Sequence, residues 1–294
     1  MPKQVTATED GRADYVDVKL QGRDWPEQHR LASQLEFLRA VGRLVSAPLT
    51  QTTRVLGNEA DASTAFVSNT LNPSLAILQQ LIDKGLRPYF EIVLLSEEVA
   101  EEAVSEPGGP SGSSAAGLRL EHVFALVDKS KDDKGMRRLS LHKALVIVEM
   151  KRHALVRLAD WPKDIKIQPR ALNKDSDARA RNLLPQLLMY AHHWQCSRVY
   201  LSDYMSTIAM DIDFRAIGRG IPVPVAFMPC TETSKRPGSV YEAGARMAIT
   251  YDVAQALREL GVASREKLGG AHPSLASSLL RYVPAEVQRK YGHS

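Results

Sequence analysis

Two charged residues, Glu149 and Lys151, come at the end of an apolar run in the segment ALVIVEMKRH. Burying a carboxylate or an ammonium group alone is costly, so a strand that carries both into a buried edge needs a physical reason. Because side chains alternate along a strand, these two charges are expected to share one face with Leu145 and Ile147. The segment indicates either a chemical site or a strand that ends in solvent.

A second acid, Asp128, ends the preceding predicted strand after the run HVFALV. If the two strands pair through the loop at 129–142, we expect their ends to bring Asp128, Glu149 and Lys151 to one edge of the sheet. Two carboxylates at a partly desolvated edge repel each other unless a cation lies between them, and such hard oxygen ligands suit Mg²⁺ or Mn²⁺. Lys151 would balance negative charge and orient or activate a water molecule near the ion.

A Glu-x-Lys tripeptide is weak evidence by itself, since about one is expected by chance in a chain of this composition. The downstream helix candidate RNLLPQLLMYAHHW strengthens the case. It contains Gln186 and Tyr190, which are four residues apart and therefore lie on one helical face.

The order of these residues resembles the PD-(D/E)XK nuclease superfamily, in particular its RecB-type branch with the Gln-x-x-x-Tyr motif. The core of that family runs helix, three strands, helix, strand. Its first acid lies on the second strand, its Glu-x-Lys on the third, and its Gln-x-x-x-Tyr on the helix that follows. The resemblance covers roughly residues 73–204. The chain is also similar to large families of uncharacterised fungal proteins that carry the same nuclease-like core.

The resemblance implies a role for each matching residue. Asp128 and Glu149 would bind the metal ion, helped by the backbone carbonyl of Met150, and Lys151 would position the attacking water. The Gln-x-x-x-Tyr pair would brace the site or contact the nucleic-acid backbone. The implied activity is metal-dependent phosphodiester hydrolysis, and because many cleaving enzymes of this fold act in pairs, a homodimer is compatible with it.

The chain departs from the family pattern in three places. A proline usually precedes the first acid, where this chain has Val127, and Pro185 lies inside the predicted helix, where it would kink the helix or mark its first turn. Some relatives add an acid from the first helix; Glu36 and Glu91 are candidates, although a solvated or structural role suits both better. These departures motivate a second hypothesis, a nuclease-like fold that does not cleave and serves in binding or regulation.

A basic segment joins the third strand to the Gln-Tyr helix. Residues 151–181 carry nine basic and four acidic residues, a net charge of +5 against +4 for the whole chain. Such a segment could hold phosphates without reading sequence, and the alternative is a solvated charged loop. The candidate nucleic-acid-binding residues are Arg152, Lys163, Lys166, Arg170, Lys174, Arg179 and Arg181.

Other classes of protein find less support. Cys196 and Cys230 follow no metal spacing and build no disulfide framework, which suits a reducing compartment. No segment has the pattern of a secretory leader or a membrane span. The glycines at 105–117 precede no Gly-Lys-Ser/Thr, so a phosphate-binding loop is not expected. We therefore expect an intracellular protein of the nucleus or cytoplasm, with nucleic acid and no membrane as partner.

The predicted element order from residue 73 is helix, strand, strand, strand, helix, strand, which is typical of an α/β fold with a mixed sheet. Asn72 is expected to cap the first of these helices and Gly85 to close it. A later helix over 239–260 should end at Gly261. The predicted fold is thus an α/β, PD-(D/E)XK-type core with a central mixed β-sheet flanked by helices, and with helical additions at both ends.

The expected division of the chain follows from composition. It comprises a polar N-terminal segment at 1–24, a helical extension at 25–72, the nuclease-like core at 73–204 with its flexible loop at 105–117, and a C-terminal strand and helices at 205–294 packed on the core.

Overall fold

The computed structural model describes most of the predicted core and part of the C-terminal region. The described residues are 58–96, 121–129, 142–152, 155–156, 178–217, 219, 223, 225–230, 245–264 and 274–292. The predicted polar segment at 1–24 and the predicted loop at 105–117 lie outside them. Among the described residues, no helix is long and apolar enough to cross a membrane.

A helical stretch precedes the sheet. Asn58 caps it: the Asn58 side chain accepts a hydrogen bond from the Asp61 amide at 2.9 Å, and the Asp61 carboxylate accepts one from the Asn58 amide at 3.1 Å. This reciprocal pair is a capping box, which satisfies two amide groups that a helix start leaves open. The stretch consists of α1 (Glu59–Phe66), a π-helical turn (Val67–Leu71), α2 (Asn72–Leu78) and a 3₁₀ turn (Gln79–Leu81).

The predicted limits of this helix are wrong. Asn72 lies inside the helical stretch rather than at its cap, and the stretch ends at Leu81, before Gly85. Pro73 has no amide hydrogen, so it cannot bond to the carbonyl of Asn69 one turn earlier. That carbonyl instead accepts a hydrogen bond from the Arg246 guanidinium at 2.7 Å. A tertiary contact therefore lets the helix run through a proline that local propensity would place at its start.

One mixed sheet of six strands forms the centre of the described structure, in the order β1–β2–β3–β4–β5–β6. Neighbouring strands are antiparallel except β3 and β4, which are parallel and are joined through helix α3. The strands are β1 (Phe90–Ser96), β2 (His122–Asp128), β3 (His142–Met150), β4 (Arg198–Ser202), β5 (Thr207–Ile212) and β6 (Val225–Cys230), and α3 spans Ala178–His193.

This architecture confirms the prediction of an α/β fold with a mixed sheet. The predicted strands that contain HVFALV and ALVIVEM correspond to β2 and β3, and the predicted helix RNLLPQLLMYAHHW corresponds to α3. Strand β5 is missing from the predicted order, because its sequence TIAMDI is buried on both faces and lacks the alternation of a half-exposed strand.

Helices cover both faces of the sheet. On one face, Phe66, Leu78 and Ile249 pack with the strand residue Phe124 in a single buried cluster. On the other face, Leu187 of α3 belongs to a second cluster together with strand residues. The first cluster also includes residues of the later helices, which are α4 (Ala245–Glu259), α5 (Ser277–Leu280) and α6 (Ala285–Tyr291).

A β-bulge in β3 changes which residues share a face. Phe124 pairs with Val146 and Ala125 with Ala144, so Leu145 has no opposite residue in β2. Leu145 consequently packs in the cluster of α1, α2 and α4, whereas Ile147 packs in the α3 cluster. The expectation that Leu145 shares a face with Glu149 is therefore wrong, because a bulge shifts the alternation by one residue.

The predicted end of the long C-terminal helix is confirmed. Helix α4 ends at Glu259, and Gly261 has a φ of 71°. A Cβ atom at Gly261 would lie 2.3 Å from the carbonyl oxygen of Ser274. Only glycine combines this left-handed backbone with so close an approach.

Asp252 of α4 makes stability depend on pH. Its carboxylate is buried and accepts a hydrogen bond from the Tyr200 hydroxyl at 2.6 Å. Burial raises the pKa of Asp252 from 3.8 to about 6, although the Tyr200 hydrogen bond opposes the rise. The Asp252 carboxyl group therefore loses its proton at a lower pH in the unfolded chain than in the folded one. We expect the free energy of unfolding to fall as pH rises through this interval, by up to about 3 kcal/mol from this group.

Denaturant titrations between pH 4 and pH 7 measure this effect. Asp252→Asn keeps an oxygen acceptor for Tyr200 and should flatten the pH dependence relative to the wild type. Asp213→Asn is the matched control, because Asp213 is an exposed residue that caps a 3₁₀ turn (Phe214–Ala216), and this change should leave the pH dependence as it is in the wild type. Equal slopes for the wild type and Asp252→Asn would show that Asp252 ionises normally.

Candidate functional site

Asp128 lies at the opposite end of the sheet from Glu149. Strands β2 and β3 are antiparallel, and their register pairs Val127 with His142 and His122 with Val148. The end of β2 therefore lies beside the start of β3, as two strands joined by a hairpin require. The expectation that Asp128 meets Glu149 and Lys151 is wrong. Glu91 lies at the same distant end, opposite Val127.

Glu121 occupies the position predicted for Asp128. It directly precedes β2, and one further step in the register that pairs His122 with Val148 places Glu121 opposite Glu149. Burial raises the pKa of Glu121 to about 7, and repulsion from Glu149 and Glu59 adds to the rise. The sequence carries the signal for this residue in LEHVFALV, at the start of the predicted strand rather than at its end.

Glu59, the first residue of α1, brings a third carboxyl group to the same edge. The Arg152 amide donates a hydrogen bond to Glu59 Oε2 at 3.2 Å, which ties the helix start to the chain leaving β3. Glu59 also lies close enough to Glu121 for their charges to repel, which contributes to the raised pKa of Glu121. Of the two acids predicted for this position, Glu36 lies outside the described residues and Glu91 is at the far end.

Glu149 is bonded to two of the other predicted site residues, Lys151 and Gln186, and Gln186 connects it to a third, Tyr190. The Lys151 ammonium donates to Glu149 Oε1, and Gln186 Nε2 donates to the same oxygen at 3.0 Å. Gln186 Nε2 also lies 2.5 Å from the Tyr190 hydroxyl oxygen. The Glu149 side chain is 2% exposed and that of Lys151 is 13% exposed. Lys151 and Gln186 offset part of the cost of burying this carboxylate, since both bond to its Oε1 atom.

Each of these side chains is positioned by the element that carries it. Helix α3 continues through Pro185, so this proline does not mark the first turn. The helix buries Leu187 and Leu188 against the sheet, and its spacing places Gln186 and Tyr190 toward the end of β3. Met150 buries its side chain on the opposite face, so only its backbone could take the role predicted for it.

The β4–β5 turn holds the chain that leaves β3. The Lys151 amide donates to the Ser202 carbonyl at 2.7 Å, which extends the parallel pairing past the end of the strand. The carboxylate of Asp203 is 1% exposed and accepts hydrogen bonds from the amides of Val156 at 3.0 Å and Ser206 at 2.8 Å. Asp203 thus braces the turn and the start of the connection to α3.

The carboxyl groups are the right chemistry for a hard divalent cation but are engaged with other groups. Carboxylate oxygens are the ligands that Mg²⁺ and Mn²⁺ take in proteins. As the side chains stand, no group of three His, Cys, Asp or Glu residues within the described ranges is arranged to hold a metal ion. Glu149 Oε1 bonds to Lys151 and Gln186, and Glu59 Oε2 bonds to the Arg152 amide. Metal binding would require these side chains to exchange partners.

The structure describes only part of the basic segment. Arg152 is exposed at the end of β3, next to Glu59. Arg179 and Arg181 belong to the N-terminal part of α3. The remaining candidates for phosphate contacts lie outside the described residues, and these are Lys163, Lys166, Arg170 and Lys174.

Comparisons with family models, with curated proteins and with solved structures found no match for this chain. The fold and the site alone therefore define the class of protein. It is an α/β protein with a mixed six-stranded sheet and a cluster of charged side chains at the ends of β3 and its neighbours.

Proposed function

We propose that this protein is a nuclease that hydrolyses phosphodiester bonds of nucleic acid with Mg²⁺ or Mn²⁺ as cofactor. The observation that carries the proposal is the convergence of Glu121, Glu149 and Lys151 at the same end of the sheet, with Gln186 bonded both to Glu149 and to Tyr190. Carboxylates can hold the metal ion that activates a water molecule for phosphodiester hydrolysis, and a lysine beside them can orient that water. This set is drawn from separate elements, so it is more specific than the Glu-x-Lys tripeptide by itself.

In this proposal Glu121 and Glu149 hold the cation, and Glu59 is the further acid from the first helix. The bound cation supplies Lewis-acid chemistry, which stabilises charge on the phosphate and favours ionisation of a water molecule. The cluster suits this role because it concentrates negative charge: mutual repulsion contributes to the raised pKa of Glu121. Asp128, at the far end of the sheet, has no part in it.

Lys151 and the Gln186–Tyr190 pair position the Glu149 carboxylate and the attacking water. Lys151 holds a positive charge beside Glu149 Oε1, from where it can orient a water molecule or offset charge that develops on the phosphate. Gln186 fixes the orientation of the Glu149 carboxylate. Tyr190 is 1% exposed, which favours bracing over contact with the nucleic-acid backbone.

Nucleic acid is the proposed substrate because basic residues follow the site. Arg152 is exposed immediately after Lys151. The segment 151–181 has a net charge of +5, more than the +4 of the entire chain. Such charge attracts a polyanion by its phosphates and does not by itself select a base sequence.

A cleavage assay tests the proposal. End-labelled single- and double-stranded DNA and RNA are incubated with the full chain and Mn²⁺, with and without a chelator. We expect metal-dependent cleavage, and a loss of about 100-fold or more in Lys151→Met. Lys143→Met is the matched control, because Lys143 lies on the same strand and bonds to the Gln195 carbonyl at 3.4 Å, far from Glu149. Equal rates for the wild type and Lys151→Met would remove Lys151 from the mechanism.

A second candidate function is nucleic-acid binding without cleavage. It is favoured by one observation: protein groups already bond to one oxygen of each of two carboxylates, since Glu149 Oε1 bonds to Lys151 and Gln186, and Glu59 Oε2 bonds to the Arg152 amide. This candidate predicts that the wild type retains labelled nucleic acid in a mobility-shift assay with equal affinity in Mn²⁺ and in chelator, and leaves it intact.

A further inference from the structure

Met205 lies at the tip of the turn between β4 and β5. Its side chain is 63% exposed, and within the described ranges no other large apolar side chain is as exposed. A single exposed methionine is common on protein surfaces and by itself indicates no function. Met205 differs from such a residue in two respects, which are its place beside the proposed site and the conformation of the turn that carries it.

The turn lies at the end of the sheet that carries Lys151. The Lys151 amide donates to the carbonyl of Ser202, the last residue of β4, at 2.7 Å. The carboxylate of Asp203, the next residue, accepts a hydrogen bond from the Val156 amide at 3.0 Å. Val156 belongs to the basic segment 151–181, so the first residues of that segment are bonded to the turn. A nucleic acid held by the basic segment would therefore lie close to the turn.

Hydrogen bonds hold the turn in a strained conformation. Tyr204, the residue before Met205, has a φ of 74°, a left-handed backbone that is costly for a bulky side chain. Its amide donates to Ser202 Oγ at 3.1 Å, and its hydroxyl accepts a hydrogen bond from Asn69 Nδ2 at 2.9 Å. The Tyr204 side chain packs against the buried cluster of α1, α2 and α4, whereas Met205 stays in solvent. Strain that surrounding contacts maintain in this way is typical of functional sites.

We propose that Met205 enters between two stacked bases of the bound nucleic acid, next to the phosphate that is cleaved. Methionine is one of the apolar side chains that proteins insert between bases, which partly unstacks them. Its flexible thioether adapts to surfaces of different shape, so it suits binding that attracts phosphates and does not read base sequence. The inference rests on the proposed function, because it takes nucleic acid as the substrate, but it requires no bound cation.

Oligonucleotides that carry 2-aminopurine test the role of Met205, because this base fluoresces weakly when stacked and more strongly when unstacked. Single- and double-stranded DNA and RNA are titrated with the full chain in chelator. We expect fluorescence to rise on binding to the wild type and to Met205→Leu, the matched control that keeps an apolar side chain at the tip. Met205→Gln, which is of similar length but polar, should abolish the rise. Its Kd should increase by less than about tenfold, because phosphate contacts provide most of the affinity.

The outcomes separate the role of Met205 from the proposed function. Binding without a rise in the wild type, or an equal rise in Met205→Gln, overturns the role of Met205 and leaves nucleic-acid binding in place. A wild type that binds none of the oligonucleotides overturns the proposed substrate, and the role of Met205 with it. A rise that depends on Met205, in a protein that does not cleave in Mn²⁺, supports the role of Met205 together with the second candidate function.

Discussion

Glu149→Gln is expected to lower the rate of Mn²⁺-dependent cleavage by about 10²- to 10⁴-fold, the range found when a catalytic proton-transfer or charge-stabilising group is removed. Glutamine has nearly the same shape, so Gln186 can still find an oxygen acceptor. What disappears is the negative charge that the cation requires and that pairs with Lys151. The loss should therefore be in catalysis rather than in folding.

Initial rates on a labelled oligonucleotide at saturating Mn²⁺ measure this loss, and a thermal melt of the variant reports on the fold. Glu91→Gln is the control, since Glu91 lies on β1 opposite Val127 at the far end of the sheet. Its rate should remain within a few-fold of the wild type. A Glu149→Gln variant that cleaves at the wild-type rate would contradict the assignment of this carboxylate.

Glu121→Gln and Asp128→Asn are expected to differ sharply, although both remove a carboxylate from an end of β2. Glu121 is repelled by Glu149 and Glu59 and belongs to the proposed cation site. Asp128 pairs with Phe90 at the other end of the strand. We expect Glu121→Gln to reduce cleavage by at least about 100-fold, and Asp128→Asn to leave the rate per folded molecule within a few-fold of the wild type.

The comparison should be made per folded molecule because Asp128 is 2% exposed, so its replacement can alter stability. The folded fraction of each variant is taken from a denaturant titration at the assay temperature. The opposite ranking, with Asp128→Asn inactive and Glu121→Gln active, would restore the arrangement first expected from the sequence and remove Glu121 from the site.

Local spacing made part of the site predictable. Glu149 and Lys151 are two apart at the end of a strand, and Gln186 and Tyr190 are four apart on a helix, so each pair shares a face as long as its element is regular there. The βαβ connection from β3 through α3 to β4 then brings the two pairs together at the ends of parallel strands. Their contact follows from element order, while their catalytic roles remain predictions.

The other parts of the site could not be predicted, because they depend on contacts between residues that are distant in the sequence. Whether Asp128 or Glu121 lies beside Glu149 depends on strand direction. Strands β2 and β3 are antiparallel, so the acid at the start of β2 lies beside the end of β3. Glu59 could not be placed from spacing, because the helical stretch that positions it continues through Pro73, where the Asn69 carbonyl bonds to the distant Arg246. The bulge at Leu145 likewise leaves no mark in the sequence.

The central claim is that Glu121 and Glu149, carried by two antiparallel strands, bind one hard divalent cation beside Lys151. Anomalous diffraction from a crystal of the full chain soaked in Mn²⁺ tests this most directly. We expect a single strong peak in contact with carboxylate oxygens of both glutamates, with Lys151 turned away from Glu149 Oε1. A well-ordered crystal with no peak between these two side chains, or with its peak at Asp128, would contradict it.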